Sequence, residues 1–153
     1  MPILKVEFIE LEKETSGNRK SALERLAPKS GKVYVVSITR DGCPACEEQK
    51  PKMEELAKEI AQKYGDKIVF TRIHVKYSSK ASEESLRSKD VFGHYFYPTN
   101  LILLRTGDKG AIEYYRSVAT NMDELKRNIG IASEVAASLN ESLQKQKRGH
   151  QPH

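Results

Sequence analysis

The stretch KVYVVSITRDGCPAC, residues 32–46, decides the fold of this chain. Its first part is a nearly continuous β-branched apolar run, which is typical of a central strand covered on both faces. A tight turn follows, and from Pro44 onward the apolar residues acquire helical spacing. The segment therefore predicts strand, turn and helix, with Cys43 and Cys46 at the start of the helix.

The remaining elements alternate along the chain. Apolar runs and alternating patterns predict strands at Ile3–Leu11, Lys67–Val75, Leu101–Leu104 and Ala111–Ser117. Periodic spacing predicts helices at Ala22–Leu26, Pro44–Tyr64, Glu83–Lys89, Asn121–Gly130 and Ile131–Leu143. A short Gly-containing turn joins the last two strands as an antiparallel hairpin, whereas the earlier β-α-β order favours parallel pairing. These elements predict a three-layer α/β fold with a central mixed sheet flanked by helices.

The length of 153 residues fits one domain that buries its own core. We expect a single domain over residues 1–148, with its core at about 32–130, a C-terminal helical extension at 131–148 and a disordered tail at 149–153. The apolar stripe of the extension most simply packs on its own domain, and a dimer contact is the alternative.

Composition narrows the class of protein. Hydrophobic residues make up 38% and charged residues 31% of the chain, as in ordinary globular proteins. Charges interrupt the apolar residues at the N-terminus before a signal peptide or a membrane span could develop, so we expect a cytoplasmic protein with no membrane partner. The net charge of +5 raises the possibility of a nucleic-acid partner. Because acidic residues are interspersed with the basic ones, and the clearest basic cluster lies in the tail, we expect no nucleic-acid binding.

The two cysteines carry the chemistry. A pair three residues apart excludes a disulfide scaffold and indicates redox or metal chemistry. A cysteine attacks only as the thiolate, and a helix N-terminus stabilises that anion. Pro44 is tolerated in the first helical turn, where it removes no helical hydrogen bond. We therefore predict that Cys43 attacks a disulfide and that Cys46 resolves the resulting mixed disulfide, with no cofactor.

The alternative for a C-x-x-C pair is half of a zinc site, which would need two more ligands. The chain has no other cysteine, and its four histidines lack the paired spacing of a zinc finger. His74 falls in an apolar strand, His94 in a loop, and His150 and His153 in the tail. We therefore predict no metal site.

Two prolines stand at informative positions relative to the cysteine pair. Pro51 stands inside the helix that follows the cysteines, and Tyr97-Pro98-Thr99 precedes the strand at 101–104. Together these features resemble the thioredoxin superfamily over residues 32–129. The resemblance implies that Pro98 is cis and faces the cysteines, and that Pro44, Tyr97, Pro98 and Val118 contact the substrate.

The sequence also departs from that pattern. Ser37 replaces the buried aspartate that the family carries six residues before the first cysteine, and Gly42 replaces the tryptophan next to it. Arg72 falls where thioredoxins have a lysine near the cysteines, and the alternative is a solvated arginine at a strand edge. Cys-Pro-Ala-Cys is reminiscent of glutaredoxins, but Phe-Tyr-Pro, residues 96–98, departs from their Thr-Val-Pro.

These observations favour a thioredoxin-like thiol–disulfide oxidoreductase that acts on disulfide-containing proteins and is reset by a donor resembling thioredoxin reductase. Tyr95, Phe96 and Tyr97 are expected to form an apolar contact surface for a partner, although at least one of them could belong to the core. Two alternatives stay open. One is a redox-switch or binding module with weak catalysis, which the departures at Ser37 and Gly42 favour. The other is a glutaredoxin-like reductase that uses glutathione.

Overall fold

The computed structural model describes residues 3–77, 82–107, 110–118 and 121–149, with the backbone alone at 147–149. The described residues form a sheet of five strands: β1 Leu4–Glu7, β2 Val33–Arg40, β3 Ile68–Val75, β4 Thr99–Arg105 and β5 Ala111–Ser117. Their spatial order is β1-β3-β2-β4-β5. β3 is parallel to β1 and β2, whereas β4 is antiparallel to β2 and β5 to β4. The mixed sheet predicted from the sequence is confirmed, with β2 at its centre.

Helices cover both faces of this sheet. One face carries α1 Phe8–Thr15, α2 Arg19–Leu26 and α4 Glu83–Phe92, and the other carries α3 Pro44–Tyr64 and α5 Met122–Gly149. The side chains of β2 point alternately into two hydrophobic cores, one on each face of the sheet. Val33 and Val35 pack with α3 and α5, whereas Val36 and Ile38 pack with the helices of the other face. The three-layer arrangement is therefore confirmed, and each layer is held by burial of an apolar stripe.

The N-terminal strand is shorter than its sequence predicts. β1 ends at Glu7, and α1 begins at Phe8, so the predicted strand over residues 3–11 is wrong in its second half. Phe8, Leu11 and Thr15 are all buried, and their spacing is that of one helical face. The alternating pattern and the helical pattern share Phe8, and packing of Phe8 edge-on against Phe92 favours the helix.

The C-terminal helices predicted at 121–130 and 131–143 form one continuous helix, α5. The error came from taking Gly130 as a helix end. A Cβ at this position would lie 3.4 Å from the Tyr64 hydroxyl, so the glycine allows α3 and α5 to approach closely. Asn121 does cap the helix, because its Oδ1 accepts from the Glu124 N–H at 3.1 Å.

The other element ends differ by a few residues. α4 continues three residues past the predicted end at Lys89, and β4 begins at Thr99 and ends at Arg105. The predicted loop at 78–81 and the middle of the predicted turn at 106–110 lie outside the described residues, as does the tail from 150 onward. No helix in the described ranges is long and apolar enough to cross a bilayer.

Candidate active site

The start of α3 is built around the Cys43 sulfur. Cys43 is the N-cap residue in extended conformation, and its Sγ accepts from the Cys46 N–H at 3.1 Å. Pro44 follows as the first helical residue, where its missing N–H has no helical partner to lose. The Glu47 N–H donates to the Cys43 carbonyl at 3.1 Å and closes the first turn. Local sequence therefore places the sulfur where the helix dipole is positive.

The two cysteines are joined by a disulfide, with their Cα atoms 5.2 Å apart. Cys43 is 3% exposed and Cys46 5% exposed, whereas the intervening Pro44 and Ala45 are exposed. A partner would therefore reach the sulfurs only along a narrow approach bordered by the exposed residues of this turn.

A proline loop faces the disulfide. The Tyr97–Pro98 peptide bond is cis, and the Tyr97 carbonyl oxygen lies 3.7 Å from Cys43 Sγ. The Tyr97 ring packs against the core, and its hydroxyl lies 2.9 Å from Ser85 Oγ. Burial raises the pKa of the Tyr97 hydroxyl above its ordinary value. The part of Tyr97 that meets the cysteine is thus its backbone, while its side chain anchors the loop to α4.

The buried His94 ring links the same loop to α4. Its Nδ1 lies 3.3 Å from the Phe96 carbonyl and its Nε2 2.9 Å from Ser88 Oγ. A carbonyl only accepts, so Nδ1 carries the proton and Nε2 accepts from the Ser88 hydroxyl. Burial lowers the pKa of His94 to about 4, which keeps this ring neutral near pH 7. The position of His94, four residues before Pro98, was the one sign of this role in the sequence.

An apolar surface borders the loop. Tyr95 is 81% exposed and Phe96 64% exposed, whereas Tyr97 is half-buried. Val118, which is 52% exposed, follows β5 at the sheet edge where Ser117 pairs with Asn100. The structure thus brings Val118 to the end of the sheet that carries the proline loop. Ala119, the next residue, lies outside the described residues.

A neutral hydrogen-bond network occupies the position of the absent aspartate. The Ser37 hydroxyl donates to Asn100 Oδ1 at 2.8 Å, and Gln49 exchanges two hydrogen bonds with the Asn100 side chain at 3.1 and 2.8 Å. All three residues are buried. Sequence reasoning singled out Ser37 but missed its partners; the detectable signal was Gln49 on the apolar stripe of α3, between Cys46 and Met53.

A cavity of 210 Å³ opens between α3 and the sheet. Cys46 lines it together with Ser37, Arg72 and His74, because residues 72 and 74 project from β3 toward α3. Arg72, whose location the sequence left open, therefore lies on the cavity wall beside the second cysteine.

Asp41 also lines this cavity. His74 Nε2 lies 2.8 Å from Asp41 Oδ1, and the Tyr77 N–H donates to Asp41 Oδ2 at 3.2 Å. The Tyr77 amide contributes most to holding the pKa of the Asp41 carboxyl below its ordinary value, and His74 adds to the effect. Sequence reasoning considered His74 only as a metal ligand and did not connect it with Asp41.

Arg40 fixes the turn before Cys43. Its Nη1 donates to the carbonyls of Asp41 and Gly42 at 2.7 and 3.1 Å, and its guanidinium lies 4.2 Å from the centre of the Tyr77 ring. Gly42 has φ of 62°, a left-handed conformation that favours glycine. That conformation accounts for glycine where the thioredoxin pattern has tryptophan.

Comparison with known proteins identifies the fold. No protein-family model and no curated protein matches the sequence. Among solved structures, the thioredoxin of Trichomonas vaginalis is 14% identical with a TM-score of 0.59, and the match covers 84% of this chain and 96% of that one. Spinach chloroplast thioredoxin f is 19% identical with a TM-score of 0.56, covering 86% and 93%.

A third similar structure is a chain of the complex between ferredoxin:thioredoxin reductase and thioredoxin f2. It is 17% identical with a TM-score of 0.53, and the match covers 85% of this chain and 94% of that one. The chain therefore has the thioredoxin fold, as the resemblance read from its sequence predicts.

Proposed function

We propose that this protein is a thiol–disulfide oxidoreductase that exchanges disulfides with protein substrates through Cys43 and Cys46. The observation that carries the proposal is the place of the Cys43–Cys46 disulfide, at the N-terminus of α3 and opposite the Tyr97 carbonyl. A sulfur at this position has a backbone donor and a helix dipole to stabilise its anion. In this proposal the proline loop beside the sulfur contacts extended substrate backbone.

In the proposed cycle the reduced protein attacks first through Cys43. Its thiolate displaces one sulfur of the substrate disulfide as a thiolate and forms a mixed disulfide with the other. The Cys46 thiolate then attacks Cys43 Sγ, releases the second substrate thiolate and forms the Cys43–Cys46 bond. The substrate gains two electrons and the cysteine pair loses two, so the cycle needs no bound cofactor.

Substrate contact is assigned to residues around the sulfurs. Pro44 is exposed between the two cysteines, Pro98 is buried in the loop that faces Cys43, and the exposed Val118 follows β5 at the same end of the sheet. Tyr97 contributes its carbonyl rather than its ring, since the ring is packed against the core. Tyr95 and Phe96 add exposed aromatic surface, a feature enriched where proteins bind partners.

An external reductant must return the pair to the dithiol state. The thioredoxin fold and the similar chain from a ferredoxin:thioredoxin reductase complex support a protein donor of the thioredoxin-reductase type. We place this cycle in the cytoplasm, because a chain with only two cysteines does not depend on an oxidising compartment for its stability. Neither nucleic acid nor a membrane takes part in the cycle.

Multiple turnover tests the proposal. With dithiothreitol as the reductant, the protein is expected to reduce many equivalents of insulin disulfide, and Cys43→Ser is expected to abolish the reaction. Cys46→Ala should also lose turnover while Cys43 still reacts once. An insulin reduction rate that is the same with wild type and with Cys43→Ser would contradict the assignment.

A redox switch is the second candidate. Low exposure of Cys43 and the uncharged network at Ser37 favour it, because both slow repeated exchange with large substrates. A switch reacts once per oxidation event and changes its affinity for a partner instead of turning over. The same insulin assay separates the two functions, since a switch adds nothing to the rate at which dithiothreitol alone reduces insulin.

A further inference from the structure

The resolving step of the proposed cycle requires a proton acceptor for Cys46. Cys46 attacks only after its thiol loses a proton, and a buried thiol ionises with difficulty. The network nearest to it, Ser37, Asn100 and Gln49, contains no group that ionises near neutrality. The acceptor therefore has to come from another part of the surroundings of Cys46.

The cavity beside Cys46 contains a candidate proton acceptor, His74. His74 lines the same 210 Å³ space as Cys46, on the face of β3 that points toward α3. A space of this size admits several water molecules, and its polar walls supply hydrogen-bond partners for them. A proton can thus pass from Cys46 to His74 along water without either side chain moving.

Asp41 gives this histidine a defined orientation. Its carboxylate lies 2.8 Å from His74 Nε2, and the Tyr77 amide holds the second carboxylate oxygen at 3.2 Å. With the Nε2 proton donated to Asp41, the basic nitrogen of the neutral ring is Nδ1. A carboxylate at this distance also holds the ring in place while Nδ1 accepts a proton.

We propose that the Asp41–His74 pair accepts the Cys46 proton through water in this cavity. The inference rests on the proposed function. In the forward step the Cys46 thiol transfers its proton to His74, the thiolate attacks Cys43 Sγ, and the substrate sulfur leaves as a thiolate. When a donor thiol later opens the disulfide, His74 returns the proton to the departing Cys46 sulfur.

Other charged groups face the same cavity and set its pH response. They are Lys5 of β1, Arg40 at the end of β2, Glu47 and Lys50 of α3, and Arg72 of β3. Glu7 of β1 also pairs with His74 across the sheet. Besides Asp41, Glu47 is the one carboxylate among the lining residues that the structure describes. Glu47 therefore supplies the matched control, because Glu47→Gln removes a carboxylate from the cavity and leaves the imidazole in place.

Ellman's reagent separates the two steps in one experiment. Mixed with stoichiometric reduced protein, it releases one thionitrobenzoate when Cys43 attacks and a second when Cys46 resolves the mixed disulfide. We expect His74→Gln to leave the first release unchanged and to slow the second by about 100-fold at neutral pH. The deficit should shrink as the pH rises and Cys46 ionises unaided.

Two further variants make the test specific. Asp41→Asn keeps a hydrogen-bond partner for His74 but removes its charge, so the second release should slow to an intermediate extent. In His74→Ala, added imidazole should accelerate the second release, which a merely structural role for His74 would not allow. Glu47→Gln should behave as wild type.

Equal second-release rates in wild type and His74→Gln over about pH 6 to 9 would overturn the inference. A loss in Glu47→Gln with none in His74→Gln would also overturn it and name Glu47 as the acceptor. In both cases an intact first release leaves the proposed function standing. Absence of the first release in wild type would instead refute the proposed function, and the inference with it.

Discussion

The Cys43 sulfur owes its environment to a few neighbouring backbone groups. It accepts from the Cys46 N–H at 3.1 Å and lies 3.7 Å from the Tyr97 carbonyl. The first contact stabilises a thiolate, whereas a carbonyl oxygen this close disfavours negative charge and suits an incoming peptide instead. In the proposed cycle the first contact serves the attacking sulfur and the second serves substrate recognition.

His94 makes the stability of the proline loop depend on pH. Burial lowers its folded-state pKa to about 4, from 6.5 in the unfolded chain. Between these values the unfolded chain binds more protons, so the stabilisation is complete above about pH 6.5 and is lost as the pH falls toward 4. The difference between the folded-state and unfolded-state pKa of His94 corresponds to about 3 kcal/mol of unfolding free energy.

We predict that His94→Gln removes this dependence. Urea unfolding of wild type and variant at several pH values measures it. The free-energy advantage of wild type should be largest near pH 7.5 and should lose most of its pH-dependent part by about pH 5. A constant difference between the two proteins over that range would show that His94 is not buried in its neutral form.

At the scale of elements, the network of Ser37, Gln49 and Asn100 ties α3 to the centre of the sheet. It joins β2, α3 and β4 just beneath the disulfide, and it is buried throughout. Buried polar groups that are fully paired specify one arrangement of their elements, and the same groups unpaired are costly. The network therefore fixes the position of the α3 N-terminus relative to the sheet.

Asn100→Ala should lower the unfolding free energy by about 2 kcal/mol or more, because it leaves both Ser37 and Gln49 without their partner. Ser37→Ala is the matched control. It leaves the two bonds between Gln49 and Asn100 in place and should cost about 1 kcal/mol. Denaturant unfolding checks both values, and equal losses in the two variants would contradict the central role of Asn100.

The limits of sequence reasoning are visible in the same elements. β2 was predictable from its nearly continuous β-branched apolar run, and α3 from helical spacing kept over many residues. The N-terminal segment was not, since Phe8 belongs to two overlapping patterns and its packing on Phe92 decides between them. The predicted helix end at Gly130 was wrong for a similar reason. This glycine allows a close approach to Tyr64, which is far away in sequence, and local residue spacing does not indicate such a contact.

For the molecule as a whole, the fold arranges the ends of several elements around one pair of sulfurs. Cys43, Cys46 and Pro98 could be selected from the sequence because their spacing is local or matches a known pattern. The Asp41–His74 pair and the support of the loop by His94 could not, since each joins residues from separate elements. Pairs of this kind become visible only when the strand register and the helix packing are known.

Trapping of the mixed disulfide tests the central claim most directly. Cys46→Ser, incubated with a peptide containing one disulfide, is expected to gain the mass of one peptide half, bonded to Cys43. The Cys43→Ser variant serves as the control and should gain little or none. Intact-mass spectrometry followed by peptide mapping reads the result. A Cys46→Ser protein that forms no adduct, or forms one elsewhere than at Cys43, would contradict the account.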